Sequence, residues 1–102
     1  MKEIVLVCTM GISTAFIVQD MLKTAKRKKI DINIRALAQD SINEKIDNVD
    51  VILLAPPLAS QLKFFKQKVA GRIPIILIPG EYYNRTNGEM ILLDTLNFLE
   101  QQ

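Results

Sequence analysis

The feature that most limits what this sequence can fold into is a fourfold alternation between short apolar segments and longer segments with helical periodicity. Residues 4–7 and 51–54 are apolar at every position, which is typical of strands that are buried on both faces of a sheet. Strands that are joined through helices must run parallel, and the right-handed crossover rule leaves few topologies. The sequence therefore predicts an α/β fold with a parallel sheet.

The predicted elements follow from apolar spacing and from helix-start and helix-stop signals. Alternating apolar and polar residues over 30–36 predict an edge strand. Capping-box patterns at Ser41 and Thr86 predict two helix starts, and Gly71 marks the end of the third helix. The predicted strands are 4–7, 30–36, 51–54 and 75–78, and the predicted helices are 13–28, 41–48, 58–69 and 87–99. The apolar face of the first helix is predicted to consist of Ala15, Val18, Met21, Leu22 and Ala25.

The strand composition also predicts the order of the sheet. The first and third strands are the most apolar, so we expect them at its centre. The resulting order is 2-1-3-4, a small flavodoxin-like, doubly wound, four-stranded parallel sheet with helices on both faces, formed by one domain over residues 1–102. Ligands of such sheets bind beyond the carboxyl ends of the strands, where the winding reverses. This predicts a site between the loops at 8–13 and 55–58.

The composition excludes several classes of catalytic site. The chain has one cysteine and no histidine, which rules out a Ser-His-Asp triad, a Cys-His pair, an imidazole metal ligand and an internal disulfide. We expect no metal and no cofactor. A net charge of +2 is too small to indicate nucleic acid as a partner. Because no apolar stretch approaches the ~20 residues of a spanning helix, we expect a cytoplasmic protein, and nothing in the sequence requires more than a monomer.

Cys8 is the residue in the best position for chemistry. It follows the first predicted strand and shortly precedes a helix. The positive end of the helix dipole and the unpaired backbone N–H groups there should favour a thiolate and then hold an attached phosphoryl group. Gly11 allows the backbone to approach an anion closely. Hydroxyl donors are available from Thr9, Ser13 and Thr14.

The residues alone leave other roles open for this segment. A single cysteine at a strand end is often a small buried hydrophobic residue. A low-molecular-weight cysteine phosphatase has a C-x5-R loop, whereas Thr14 stands six residues after Cys8, and the loop over 79–88 has no Asp as a general acid. An arsenate reductase relay would need a second cysteine, and a flavodoxin-like binding module would have only Tyr82 and Tyr83 to flank a flavin ring. A cysteine that accepts a phosphoryl group and passes it on fits the loop better.

Three segments of the chain match the pattern of a known family. Residues 8–14 have the form C-x-x-G-x-S-T directly after the first strand, residues 50–56 are an apolar strand that ends in Ala-Pro, and residues 82–88 lead from two tyrosines to Asn-Gly. Together they resemble enzyme IIB of the lactose/cellobiose class, a component of the bacterial phosphoenolpyruvate-dependent sugar phosphotransferase system. Two positions depart from the family pattern, since Pro57 replaces the usual Gln and Asn87 the usual Asp.

This resemblance implies a phosphocarrier cycle. A phosphohistidine of enzyme IIA would donate its phosphoryl group to Cys8, which would pass it to a sugar held by the membrane-embedded enzyme IIC. A regulatory relative that is phosphorylated as a signal is an equal possibility from sequence. The phosphate-binding loop would consist of Thr9, Met10, Gly11, Ile12, Ser13 and Thr14, and further phosphate or partner contacts would come from Pro56, Tyr83 and Arg85. Met10 and Ile12 are equal candidates for a docking patch and for core packing. Tyr83 is an equal candidate for packing and for a phosphate contact, and the favoured alternative for Arg85 is a solvent-exposed loop charge.

Overall fold

The computed structural model describes residues 1–8, 11–42 and 46–101. Within them, strands and helices alternate along the chain much as the apolar pattern predicts. The strands are β1 (Lys2–Cys8), β2 (Ile32–Ala38), β3 (Val51–Leu54) and β4 (Ile75–Leu77). The α-helices are α1 (Gly11–Arg27), α2 (Leu62–Lys68), α3 (Gly80–Asn84) and α4 (Gly88–Glu100). Short 3-10 helices cover Gln39–Ser41 and Pro56–Gln61.

The strands form one parallel sheet in the order β2-β1-β3-β4. This confirms the predicted fold class and the central position of the two most apolar strands. Cys8 lies opposite Ala38 of β2, and Val7 lies opposite Leu54 of β3. Cys8 is therefore the last residue of β1, whereas the sequence pattern placed it in the following loop. The reason is that β2 continues to Ala38 and keeps the backbone of Cys8 in the ladder.

Different helices cover the two faces of the sheet. Side chains alternate along a strand, so β1 directs Ile4 and Leu6 to one face and Val5 and Val7 to the other. The first pair packs with α1 and α4, and the second pair packs with α2. All four side chains are fully buried, and each such burial stabilises the fold by about 1.5–3 kcal/mol. Helices cover both faces, as predicted.

Helix α1 differs from its prediction in its start and in its buried face. It begins at Gly11, two residues earlier than predicted. Ala15 and Leu22, both predicted to face the core, are exposed, whereas Thr14 and Thr24 are buried. The physical reason is that α1 packs against both the sheet and α4, so its buried surface is not a single apolar stripe and includes small threonine side chains.

The helix predicted over 41–48 is wrong for the described part of that range. The chain instead forms a 3-10 helix at Gln39–Ser41, and residues 46–50 are not helical; residues 43–45 of the prediction lie outside the described residues. Ile46 and Asp47 are not helical, and Asn48 after them has a left-handed backbone (φ 58°), which by itself would also suit the residue that follows a helix. The Asn48 N–H donates to the Asp47 carboxylate at 2.8 Å. Local side-chain hydrogen bonding of this kind competes with helix formation.

The second predicted capping box is displaced by one residue. Asn87 is the N-cap of α4, and its Oδ1 accepts a hydrogen bond from the Met90 N–H at 3.1 Å. Thr86 has a left-handed backbone (φ 49°), and its hydroxyl donates to the Arg85 carbonyl at 2.7 Å. The Thr86 hydroxyl thus bonds to the residue before it and does not cap α4. The sequence pattern also did not predict α3, which ends at Asn84, two residues before Thr86.

Replacing Asn87 with alanine should lower the free energy of unfolding by about 1 kcal/mol, because an N–H in the first turn of α4 loses its acceptor. Urea unfolding followed by circular dichroism measures the change. Thr86→Ala is the matched control, and we expect it to change the free energy by less than about 0.5 kcal/mol. If Thr86→Ala lowered the free energy of unfolding more than Asn87→Ala does, Thr86 and not Asn87 would be the residue that caps α4.

Candidate functional site

The carboxyl ends of the parallel strands meet at one edge of the sheet. We call this the Cys8 edge and define it by Cys8, Ala38, Ala55 and Ile78, which lie at or directly after the ends of the four strands. The Ala55 N–H donates to the Val7 carbonyl at 3.0 Å, and the Ile78 N–H donates to the Leu54 carbonyl at 3.0 Å. These bonds extend the ladders past the strand ends and hold the edge together.

Cys8 faces the side of the sheet that α1 covers. It continues the alternation of Ile4 and Leu6, and it belongs to the core cluster that these residues form with α1 and α4. Only 6% of Cys8 is exposed. Helix α1 begins three residues later at Gly11, so the positive end of its dipole lies at the Cys8 edge. An anion bound beside this edge would face the positive end of that dipole.

The described part of the predicted phosphate-binding loop forms the start of α1. Gly11, Ile12 and Ser13 make up its first turn, where backbone N–H groups have no acceptor within the helix. Ser13 was predicted to be the first residue of this helix, but it lies two residues inside it. Thr14 follows and is fully buried. The other two loop residues of the prediction, Thr9 and Met10, lie outside the described residues.

Pro56 lies at the Cys8 edge, one residue after Ala55, which continues β3 alongside the end of β1. Ala55 bonds to Val7, so the chain after β3 passes next to the end of β1 at the usual strand spacing of about 4.8 Å. Pro56 opens the 3-10 helix Pro56–Gln61, where the absence of an N–H costs no hydrogen bond. Its side chain is half-buried. The structure thus brings Pro56 and Cys8 to the same edge.

Tyr83 and Arg85 reach this side of the sheet through α3, which follows β4. Tyr83 is half-buried and packs against the core cluster that contains Cys8. The packing role of Tyr83, one of two possibilities in the sequence, is therefore present. Arg85 directly follows α3 and is exposed. The two residues therefore have different roles. Tyr83 packs against the core below the Cys8 edge, whereas the cationic side chain of Arg85 is accessible from solvent.

Phe16 is a feature of this edge that the sequence analysis missed. It lies in α1 five residues after Gly11, about 7.5 Å along the helix, and 62% of it is exposed. A signal was available, because the residues three and seven positions later, Gln19 and Lys23, are polar. Polar residues at those positions indicate an outward-facing stripe. A large exposed aromatic side chain in this place offers a contact for another protein.

Two properties of the described residues bear on the kind of site. Their cysteine and acidic side chains form no group of three that could hold a metal ion. No helix within the described ranges is long and apolar enough to cross a membrane.

Comparison with known proteins gives a consistent set of relatives. A family model described as "PTS system, Lactose/Cellobiose specific IIB subunit" matches residues 3–94. The chain is 30% identical over 104 residues to the PTS system oligo-beta-mannoside-specific EIIB component of Bacillus subtilis (strain 168), with 100% of both sequences covered.

Solved structures agree with this comparison. The solution structure of the cellobiose-specific phosphotransferase IIB component from Borrelia burgdorferi superposes with a TM-score of 0.79 at 35% identity, covering 98% of this chain and 93% of that one. The lactose-specific IIB component domain from Streptococcus pneumoniae gives a TM-score of 0.73 at 16% identity, with 94% and 95% covered. The second structure is similar in fold.

Proposed function

Since this chain belongs to the lactose/cellobiose-specific IIB subunits of the sugar phosphotransferase system, we propose that it is a phosphocarrier and that Cys8 holds the phosphoryl group. The observation that carries this proposal is the position of Cys8 at the end of a central strand, three residues before the N-terminus of α1. In the proposed role the Cys8 thiol is the nucleophile, and backbone N–H groups at the start of α1 are donors to the anion. The chain requires no cofactor for this role.

The proposed cycle has two transfers. In the first, the Cys8 thiolate attacks the phosphorus of a phosphohistidine on enzyme IIA; the S–P bond forms, the N–P bond breaks, and the electron pair stays on the imidazole nitrogen. In the second, a hydroxyl oxygen of a sugar bound by enzyme IIC attacks the same phosphorus. The S–P bond then breaks, the thiolate is restored, and the hydroxyl proton leaves to a base outside this chain.

The start of α1 supports transfer rather than hydrolysis. We propose that the backbone of residues 9–14 surrounds the phosphoryl group, with N–H groups of Gly11, Ile12 and Ser13 directed to its oxygens. Thr14 stands where a cysteine phosphatase has its arginine, and it is buried. No guanidinium therefore grips the phosphate from this position. Charge stabilisation by backbone donors holds the phosphoryl group without activating water.

The partners follow from the cycle. We propose that enzyme IIA and the membrane-embedded enzyme IIC dock in turn on the Cys8 edge, and that residues 1–102 act as one monomeric domain at the cytoplasmic side of the membrane. The names of the two relatives that are at least 30% identical refer to oligo-beta-mannoside and cellobiose. Both are β-linked saccharides, and we therefore propose a β-linked oligosaccharide as the sugar that receives the phosphoryl group.

Phosphorylation followed by intact-mass spectrometry tests the proposal. The protein is incubated with phosphoenolpyruvate, the general phosphotransferase proteins and enzyme IIA, and we expect a mass increase of one phosphoryl group that peptide mapping assigns to Cys8. Addition of membranes that contain enzyme IIC and its sugar should discharge it, which separates transport from a signalling role. No mass increase in the presence of demonstrably phosphorylated enzyme IIA would contradict the proposal.

Replacing Phe16 with alanine should raise the KM for phosphorylated enzyme IIA about fivefold at nearly unchanged kcat, because an exposed aromatic contact near Cys8 is lost. Phosphorylation rates measured over a range of enzyme IIA concentrations give both constants. Phe64→Ala is the matched control, since Phe64 is 52% exposed on α2, which covers the other face of the sheet. Equal effects of the two variants would exclude a specific contact at Phe16.

A further inference from the structure

Asp20 connects the middle of α1 to the first residue of α4. Its Oδ2 accepts a hydrogen bond from the Gly88 N–H at 2.8 Å, across 68 positions of sequence. The carboxylate is half-buried, and it lies at the positive end of the α4 dipole. It therefore gives the Gly88 N–H an acceptor on another helix, in addition to the Thr86 carbonyl at 3.0 Å in the turn before α4.

The turn before α4 is held from its other side by α3. The Asn87 N–H donates to the Tyr82 carbonyl at 2.8 Å, and the Thr86 N–H donates to the Tyr83 carbonyl at 3.0 Å. Arg85 lies at the start of this turn. The turn over 85–87 is thus fixed between two anchors, the end of α3 and the carboxylate of Asp20 on α1.

We propose that Asp20 is a positioning residue for phosphoryl transfer, because it holds the turn with Arg85 in a set position relative to α1. This inference rests on the proposed function. The same rigid helix begins three residues after Cys8 and carries Asp20 in its middle. Arg85, exposed and cationic, then meets the anionic surface of the phosphorylated donor protein without first having to be ordered, which lowers the entropic cost of docking.

A second contact between the same two helices provides the control. Arg27 and Glu89 form an ion pair at 2.7 Å, but their side chains are 61% and 44% exposed. Exposed pairs of this kind contribute little. Arg27→Ala therefore removes one link between α1 and α4 and leaves the contact of Asp20 with Gly88 unchanged.

The test is a double-mutant cycle in the phosphorylation assay with enzyme IIA as donor. Asp20→Ala and Arg85→Ala are each expected to raise the KM for phosphorylated enzyme IIA about fivefold, with kcat nearly unchanged. If Asp20 acts through Arg85, the double variant should have the same KM as Arg85→Ala alone. Asp20→Asn retains an oxygen acceptor and should keep most of the wild-type KM, as should Arg27→Ala.

The outcomes separate this inference from the proposed function. Additive effects of Asp20→Ala and Arg85→Ala would indicate a merely structural role for Asp20 and overturn the inference, as would an unchanged KM in either single variant. If Asp20→Ala does not fold, a KM for Asp20→Asn that is raised as far as that of Arg85→Ala overturns it equally. Failure of the wild-type protein to be phosphorylated at all would instead contradict the proposed function.

Discussion

Replacing Cys8 with serine should abolish phosphorylation by enzyme IIA, with a loss of at least about 10³-fold in rate. A serine hydroxyl is not ionised near neutral pH, and the chain has no histidine that could act as its base. The substitution is nearly isosteric at a residue that is 6% exposed, so the fold should be retained. Phosphate incorporation followed by intact mass, at equal concentrations of phosphorylated enzyme IIA, measures the loss.

A transplanted thiol is the control for this result. Cys8 is the only cysteine, so the double variant Cys8→Ser, Lys2→Cys still has one thiol per chain. Lys2 is exposed and lies at the opposite end of β1 from Cys8. We expect no phosphorylation of this variant. Retained phosphorylation of Cys8→Ser would place the phosphoryl group on another residue, whereas phosphorylation of the transplanted thiol would mean that thiol reactivity alone suffices.

Replacing Gly88 with alanine should destabilise the fold by about 2 kcal/mol. A Cβ at this position would lie 2.7 Å from the Cβ of Asp20 and 2.8 Å from the backbone nitrogen of Met21. These two atoms are part of the α1 backbone or attached directly to it, so they cannot move aside as the end of a flexible side chain can. The two helices must therefore separate. The hydrogen bond from Gly88 to Asp20 would be stretched at the same time. Urea unfolding gives the change in free energy.

Gly80 provides the matched control for Gly88. It is also the first residue of an α-helix, but a Cβ added to it meets nothing within 4 Å. Gly80→Ala should therefore be neutral or stabilise the protein by up to about 1 kcal/mol, because alanine has the higher helix propensity. A loss in Gly80→Ala as large as that in Gly88→Ala would show that the cost comes from losing glycine at a helix start and not from the close approach of α1 and α4.

The proposed phosphotransfer site is only partly built into one segment of sequence. Cys8 and the start of α1 are contiguous, and their spacing indicated both the edge and the chemistry proposed for it. Pro56 was also placed correctly at this edge, because the ends of adjacent parallel strands must meet. Phe16 was missed, since it lies outside the predicted apolar face of α1 and helical periodicity assigns no function to an exposed aromatic residue. Its polar neighbours one and two turns later were the available signal.

Local patterns failed at the ends of two predicted helices. The capping boxes at Ser41 and Thr86 have the right residue types, but Asn48 and Thr86 adopt left-handed backbone conformations. Short polar side chains satisfy nearby N–H and C=O groups in several ways. The choice among them depends on how the chain must enter the next strand or helix, which a capping pattern does not contain.

The sequence by itself determined the alternation of strands and helices, the parallel order 2-1-3-4 and the position of Cys8 at the edge, because burial and periodicity are properties of short segments. The tertiary structure alone decided which side of α1 is buried, where the turn before α4 is anchored, and that Gly88 rests against Asp20. These features depend on the rotation and separation of two helices that are distant in sequence. Close packing sets both quantities only when all the layers are assembled.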